Sequence, residues 1–183
     1  MVLATGIATE EDIQLAVEAC RRMGNNDITV LKCTSSYPAP VEEANLCMIR
    51  DLAERFQVKS GLSDHTLGSV SPIVAVTQGA SMIEKHFILN RSIGGPDCSF
   101  SMEEKDFAQM VKDVRMAELS LGKTTYELTE KMRGSRSASR SLYVAEDMKA
   151  GEVITERNVR SVRPGFGLHP KYLKDICLLY TSD

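Results

Sequence analysis

Two histidines lie at equivalent places in neighbouring segments of the chain. His65 and His86 each follow a short run whose residue types predict a β-strand. If the strands are parallel, both imidazoles lie at the same edge of the sheet, where two such nitrogens can hold a divalent transition ion. An ion held there would polarise a carbonyl group as a Lewis acid. Two partly buried histidines with no ligand fit the same pattern, and the spacing leaves both interpretations open.

Small hydroxyl and acidic side chains lie near these histidines in the sequence. Ser63 and Ser35 fall at predicted strand-to-helix turns, where free backbone N–H groups attract phosphate. Glu84 precedes His86 by two residues and so shares its face of the strand, where it could orient a ligand or a water molecule. The alternative for Ser63 is a helix cap shared with Asp64, and for Glu84 it is a carboxylate at the rim of the sheet.

Three loop residues offer hydrogen bonds to a polar substrate. Tyr37 follows the second predicted strand, Asp97 ends a Gly-Gly-Pro-Asp turn, and Arg163 precedes a Pro-Gly pair. Each has an ordinary alternative, namely a packed tyrosine, a turn aspartate and a solvated arginine.

A repeated unit of strand and helix has to position these side chains. Runs of β-branched residues alternate with helical spacing four times before residue 122. The predicted strands are 2–5, 28–33, 60–62 and 81–86. Two of the helices begin with predicted capping boxes, at Thr9 with Asp12 and at Ser101 with Glu104. Successive units of this kind predict a parallel sheet covered by helices.

Two architectures contain such a sheet, an open doubly wound sheet and a (β/α)₈ barrel. The sequence has neither G-x-G-x-x-G nor G-x-x-x-x-G-K, the phosphate-binding loops that are usual in open sheets. Polar residues instead follow one strand after another, which is how a barrel builds its site. The polar residues favour a barrel of the α/β class, although four units make up only half of one.

The composition of the chain changes after residue 122. Residues 123–140 are rich in arginine and serine and are interpreted as a linker. Short extended runs then predict a small β-rich module over 141–176. These runs are 141–145, 152–155 and 158–164. The half-barrel is assigned to 1–122.

The composition also excludes several classes of protein. Of the 183 residues, 22 are basic and 25 acidic, with no basic run, so no footprint for nucleic acid is present. No apolar stretch reaches the ~20 residues of a membrane helix, and the first residues lack the basic and apolar regions of a secretory signal. The 5 scattered cysteines contain no C-x-x-C and favour a reducing, cytoplasmic setting.

Five motifs together resemble the sialic acid synthase family in their order and spacing. They are CTSSYPAP (33–40), GLSDHTLG (61–68), IEKHF (83–87), GGPD (94–97) and VRPGFGLHPKY (162–172). Two longer segments, RSIGGPDCSFS and RSLYVAEDMKAGE, are most similar to the branch that makes pseudaminic acid. The branches that make legionaminic and N-acetylneuraminic acid share most of this framework.

The resemblance implies a fold and a reaction. The fold is the C-terminal half of a (β/α)₈ TIM barrel followed by a truncated antifreeze-like (SAF) domain. The family condenses phosphoenolpyruvate with an N-acylated amino sugar and water, giving a nine-carbon α-keto acid and phosphate. In the pseudaminic branch the sugar is of the 2,4-diacetamido-2,4,6-trideoxy-altrose type. The resemblance further implies a domain-swapped homodimer when the protein is full length.

The resemblance also assigns roles to individual residues. His65 and His86 match the metal ligands, which usually hold Mn²⁺, with Mg²⁺ or Co²⁺ as alternatives. Ser63 and Ser35 match positions that bind phosphoenolpyruvate, although the second is commonly Asn in the neuraminic branch. The matched sugar-binding positions are Tyr37, Asp97 and Arg163, the last of which would reach the sugar from the SAF domain of a partner subunit.

The family's catalytic glutamate and several lysines lie ahead of the matched segment. After residue 176 the chain departs from the family pattern, so 177–183 are interpreted as a non-native tail. We therefore expect the chain to be an internal fragment that is inactive alone, with two exposed sheet edges that favour aggregation. Two other functions stay open at this point. One is a non-catalytic sugar-binding or assembly module, and the other is an unrelated barrel aldolase that uses the same histidine pair but releases no phosphate.

Overall fold

Four parallel strands, in the order β1-β2-β3-β4, form the sheet of the N-terminal part of the chain. They are β1 (Val2–Ala4), β2 (Thr29–Cys33), β3 (Lys59–Asp64) and β4 (Ile83–Lys85). The accompanying helices are α1 (Glu10–Arg22), α2 (Met48–Phe56), α3 (Val70–Thr77) and α4 (Glu104–Leu121). Each strand pairs with the next one along the chain, as in successive units of a (β/α)₈ barrel. The predicted α/β half-barrel is confirmed.

The computed structural model describes residues 1–177 and 179, which fall into two units. The first is Met1–Lys123, and the second begins at Thr124. Within the second unit, β5 (Ser141–Val144) and β6 (Val159–Val162) form an antiparallel pair. The second unit also contains the short helices α5 (Glu130–Ser135) and α6 (Leu173–Ile176), the first of which lies inside the segment predicted as a linker. Of the predicted tail, residues 178 and 180–183 lie outside the described residues. In the described part of the chain, no helix is long and apolar enough to cross a membrane.

The apolar core lies between the sheet and its helices. One cluster joins α1, α2 and β2, and a second joins α2, α3 and β3. The buried members of the two clusters are Val17, Ile28, Val30, Leu52 and Phe56, and Ile49, Leu62 and Ala75. Leu62 and Ile83 point toward the helices in the second cluster. Since side chains alternate along a strand, their neighbours Ser63 and Glu84 point to the opposite face of the sheet.

The two predicted capping boxes have different outcomes. The first is confirmed, because Asp12 N–H donates to Thr9 Oγ1 (3.3 Å) and Thr9 N–H donates to Asp12 Oδ2 (2.9 Å). The second is wrong, because α4 begins after Glu103 with no side-chain cap. Ser101 is buried, and its hydroxyl donates instead to the Asp97 carbonyl oxygen at 2.7 Å. This bond folds the loop before α4 back on itself.

The strand predicted at 152–155 is confirmed only in part: Val153 takes part in a β-bridge, and Ile154 N–H donates to the Leu179 carbonyl oxygen at 2.9 Å. The side chain of Asn158 occupies other backbone groups of this run. Its Oδ1 accepts from Thr155 N–H at 2.7 Å, and its Nδ2 donates to the Val153 carbonyl oxygen at 2.9 Å. Asn158 is buried, so these bonds hold a turn ahead of β6.

Gly61 lies where β3 leaves no room for a side chain. A Cβ at this position would collide with the Met82 backbone carbonyl and lie 2.6 Å from Leu31 Cδ2. We expect Gly61→Ala to lower the free energy of unfolding by about 1–3 kcal/mol through overpacking, measured by thermal unfolding of the complete protein. The matched control is Gly134→Ala, because a Cβ there meets nothing within 4 Å. A Gly61→Ala protein that melts at the temperature of the control would contradict this expectation.

Candidate functional site

His65 and His86 meet at the carboxyl end of the sheet. His65 directly follows β3 and His86 directly follows β4. Their ring centroids are 5.0 Å apart, and the ring planes are nearly perpendicular. His65 is buried, whereas the side chain of His86 is 31% exposed. The predicted convergence of the two imidazoles is therefore present in the fold.

A backbone carbonyl sets the orientation of the His65 ring. Nδ1 of His65 lies 2.9 Å from the carbonyl oxygen of Thr34. Because a carbonyl can only accept, this nitrogen must carry the proton and donate it. The neutral ring then has its free lone pair on Nε2, which is the tautomer that a metal ligand needs.

The loop that carries Thr34 is held by a lysine that sequence reasoning missed. Lys32 lies on β2, and its ammonium donates to the Cys33 carbonyl oxygen (2.8 Å) and to Thr34 Oγ1 (3.1 Å). Burial lowers the pKa of Lys32 from its ordinary value. Because these bonds join consecutive residues at the end of β2, they fix the carbonyl that orients His65.

His86 lies between a carboxylate and an aromatic ring. Its Nδ1 is 3.7 Å from Asp97 Oδ2, a separation longer than a hydrogen bond. The Phe100 ring lies 4.9 Å from the His86 ring, measured between centroids. Asp97 is 56% exposed, so it lies at the mouth of the site and remains accessible to a second partner.

Two aromatic rings form one wall of the site. The Tyr37 ring lies 4.3 Å from the His65 ring and 6.1 Å from the His86 ring. Phe100, which is buried, lies 5.9 Å from Tyr37. Sequence reasoning placed Tyr37 in the site and missed Phe100. The available signal was an isolated aromatic residue inside the polar turn that follows Asp97.

Ser63 and Glu84 are neighbours across β3 and β4. They are register partners, and the Ser63 hydroxyl donates to Glu84 Oε1 at 2.7 Å. Ser63 is buried and Glu84 is exposed. The alternative in which Ser63 and Asp64 cap the next helix is wrong, because both lie in β3 and α3 begins only at Val70.

The two remaining candidate residues lie apart from this cluster of contacts. Ser35 is exposed in the loop after β2, and its hydroxyl lies against Gly6 in the loop after β1. Arg163 belongs to the second unit, directly after β6, and is exposed there. The structure thus brings His65, His86, Tyr37 and Asp97 together, and places Ser63 two residues before His65 on the same strand end.

The donor set of the site suits an ion with several open coordination positions. Two imidazoles converge, and the His65 tautomer leaves Nε2 free to coordinate. Within the described residues, no group of three or more His, Cys, Asp or Glu side chains is arranged to hold a metal. An ion bound by the histidine pair would therefore keep room for water and for oxygen atoms of a substrate, as catalytic metal sites do.

Comparison with known protein families gives two matches along the chain. The NeuB family matches residues 1–126, and the SAF domain matches residues 139–177. The chain belongs to the NeuB family.

Two pseudaminic acid synthases are similar to this chain over nearly its whole length. The pseudaminic acid synthase of Helicobacter pylori is 49% identical over 177 residues, which cover 96% of this chain and 52% of that protein. The pseudaminic acid synthase of Campylobacter jejuni is 46% identical over 175 residues, or 96% of this chain and 51% of that protein. The chain thus spans about half the length of these relatives.

A solved structure shows the same fold. The spore coat polysaccharide biosynthesis protein of Bacillus subtilis superposes with a TM-score of 0.65 and 30% sequence identity. The match covers 100% of this chain and 57% of that one.

Proposed function

We propose that the chain forms part of an enzyme that condenses phosphoenolpyruvate with an N-acylated amino sugar and water, releasing phosphate. We further propose that the sugar is of the 2,4-diacetamido-2,4,6-trideoxy-altrose type and that the product is pseudaminic acid. The observation that carries the proposal is the paired histidines at the carboxyl end of a NeuB-family half-barrel. The identity of 49% to a pseudaminic acid synthase supports the choice of sugar.

In this proposal the histidine pair binds a divalent metal, with Mn²⁺ as the first choice. The bound ion would supply Lewis-acid activation of the sugar aldehyde. The chain's own residues orient the reactants around it. The Thr34 carbonyl holds the coordinating tautomer of His65, and the rings of Tyr37 and Phe100 border one side of the pair.

Phosphoenolpyruvate is proposed to lie against Ser63 and Ser35. Ser63 lies near the end of β3 and Ser35 in the loop after β2, so both hydroxyls lie near the carboxyl edge of the sheet, where the histidines also lie. Ser63 already donates its proton to Glu84, so it presents lone pairs to the cavity, and it must turn its hydroxyl to donate to a phosphate oxygen.

The sugar is proposed to bind Tyr37 and Asp97 at the mouth of the site. Both side chains are more than half exposed and border the histidine pair. Arg163 is proposed to reach the acyl group from the second unit of a partner chain in a domain-swapped homodimer. A cytoplasmic location is proposed on the five cysteines, all of which are free thiols.

The complete protein should be assayed for phosphate release from phosphoenolpyruvate with a panel of N-acylated sugars and added Mn²⁺. We expect phosphate release that needs both substrates, is lost with a chelator and is fastest with the altrose-type sugar. Higher kcat/KM with the precursor of legionaminic or N-acetylneuraminic acid would overturn the choice of sugar. Sugar binding without turnover would favour a non-catalytic module, and carbon–carbon bond formation without phosphate release would favour an aldolase.

A further inference from the structure

An ion pair is buried between the ends of β3 and β4. Lys85 Nζ lies 2.5 Å from Asp64 Oδ2, and both side chains are only 1% exposed. The other ion pairs among the described residues are all at least partly exposed. Burying two charges is expensive, and a buried pair adds little net stability over well-packed apolar residues. Its presence therefore calls for a role other than stability.

The pair is placed directly beside the two histidines. Asp64 and Lys85 are register partners in the β3–β4 ladder, and each is followed at once by a histidine. Asp64 lies on the same face as Leu62, toward the helices, whereas His65 lies toward the site. The ion pair thus joins the ends of β3 and β4 on the helix-facing side of the sheet, at the residues that precede His65 and His86.

A hydrogen-bond network extends the pair past His65. Asp64 Oδ1 accepts from Thr66 N–H (2.9 Å), and Lys85 Nζ donates to the Thr66 carbonyl oxygen (2.6 Å). Thr66 is itself buried, and its hydroxyl donates to Ser71 Oγ in α3 (3.0 Å). His65 is therefore held on both sides along the chain, by Asp64 before it and by Thr66 after it, and both are tied to the residue before His86.

Only a directional contact can set the distance and the angle between the ends of β3 and β4. Apolar side chains of similar volume would fill the same space, but they tolerate sliding and rotation of one strand end against the other. The Lys85 ammonium has two fixed oxygen partners on the chain around His65, so both the distance and the turn angle between the strand ends are specified.

We infer that Asp64 and Lys85 are a positioning pair that sets the separation and mutual orientation of His65 and His86. This inference rests on the metal site of the proposed function. Neither residue touches the reacting atoms. Their action on the site goes through the backbone of the two histidines, as outer-shell partners act on the ligands that they orient.

The test compares two double variants of the complete protein. Asp64→Leu with Lys85→Met replaces the buried pair by apolar residues, which avoids leaving one charge unpaired. The matched control is Asp27→Asn with Lys59→Met, which removes an ion pair of the same residue types at the opposite end of β3. In that pair Lys59 is 64% and Asp27 80% exposed. Cooperative thermal unfolding establishes that each variant is folded.

Metal binding is then measured by the loss of the free Mn²⁺ signal in electron paramagnetic resonance. We expect the apolar pair to raise the dissociation constant about 10–100-fold and the control to leave it unchanged. A folded apolar-pair variant with the dissociation constant of the unmodified protein would overturn the inference. If that variant does not fold, Asp64→Asn takes its place, because the amide keeps the shape of the side chain and the acceptor for Thr66 N–H. A raised dissociation constant for Mn²⁺ in Asp64→Asn would then support the inference, and an unchanged one would overturn it.

A second measurement separates this inference from the proposed function. In crystal structures without metal, the His65 and His86 rings should stay 5.0 Å apart in the unmodified protein and the control, and shift in the apolar-pair variant. An unmodified protein that binds no Mn²⁺ would refute the metal site, while the ring separation would still decide the role of the pair. An unchanged separation in the variant would reject the positioning role.

Discussion

Replacing His65 or His86 by alanine should reduce metal-dependent turnover of the complete protein by at least about 10³-fold. Lewis-acid activation of a carbonyl supplies several kcal/mol of transition-state stabilisation, and each 1.36 kcal/mol corresponds to a factor of about ten in rate. Two imidazoles converge at the site, so removing one would leave the proposed metal with a single imidazole ligand. Mn²⁺ binding should be lost together with activity.

The two substitutions should differ in their effect on stability. His65 is buried and its Nδ1–H donates to the Thr34 carbonyl oxygen, so His65→Ala leaves a cavity and an unpaired acceptor. His86 is partly exposed and should tolerate truncation better. His169→Ala is the matched control, because that imidazole lies in the second unit and accepts from Lys171 N–H. Activity within a few-fold of the unmodified protein in either histidine variant would reject the ligand assignment.

Lys85→Ala should lower the free energy of unfolding by about 3–5 kcal/mol. Removing one partner of a buried ion pair leaves the other charge without compensation, and the Asp64 carboxylate has almost no access to water. The Thr66 carbonyl oxygen loses its donor at the same time. Thermal unfolding of the complete protein measures this loss as a fall in Tm.

Lys59→Ala is the control for this measurement. It breaks an ion pair to Asp27 in which both side chains are well exposed, and such pairs contribute about 0–1 kcal/mol. The two lysines lie on adjacent strands of the same sheet, so the difference in Tm between the two variants measures the effect of burying the ion pair. Equal shifts in Tm for the two variants would show that the Asp64–Lys85 pair is hydrated in solution.

The histidine pair could be predicted because its signal is local. Each histidine follows a short strand-forming run, and parallel strands bring such positions to one edge whatever their exact register. Tyr37 was predicted through its motif, and it does border both imidazoles. The Thr9 capping box was predicted for the same local reason, since its partners are three residues apart.

Residues whose partners are distant in the chain could not be predicted in this way. From the sequence pattern, Asp64 is interpreted as a possible helix cap, and only the β3–β4 register places it opposite Lys85. The hydrogen bond from Ser63 to Glu84 depends on the same register. Phe100 reaches the site through a loop whose course is set by the Ser101 hydroxyl, which the sequence pattern assigned to a cap.

Sequence patterns are sufficient to predict the strand and helix units of the half-barrel, the NeuB-type motifs and the edge at which the polar residues gather. Periodicity, capping and turn residues act over a few positions, so they can be recognised without a fold. The tautomer of His65, the aromatic wall of Tyr37 and Phe100, and the buried Asp64–Lys85 pair become visible only in the folded chain. Each of these depends on the alignment of separate strands to within one residue, because a shift of one position turns a side chain to the other face of the sheet.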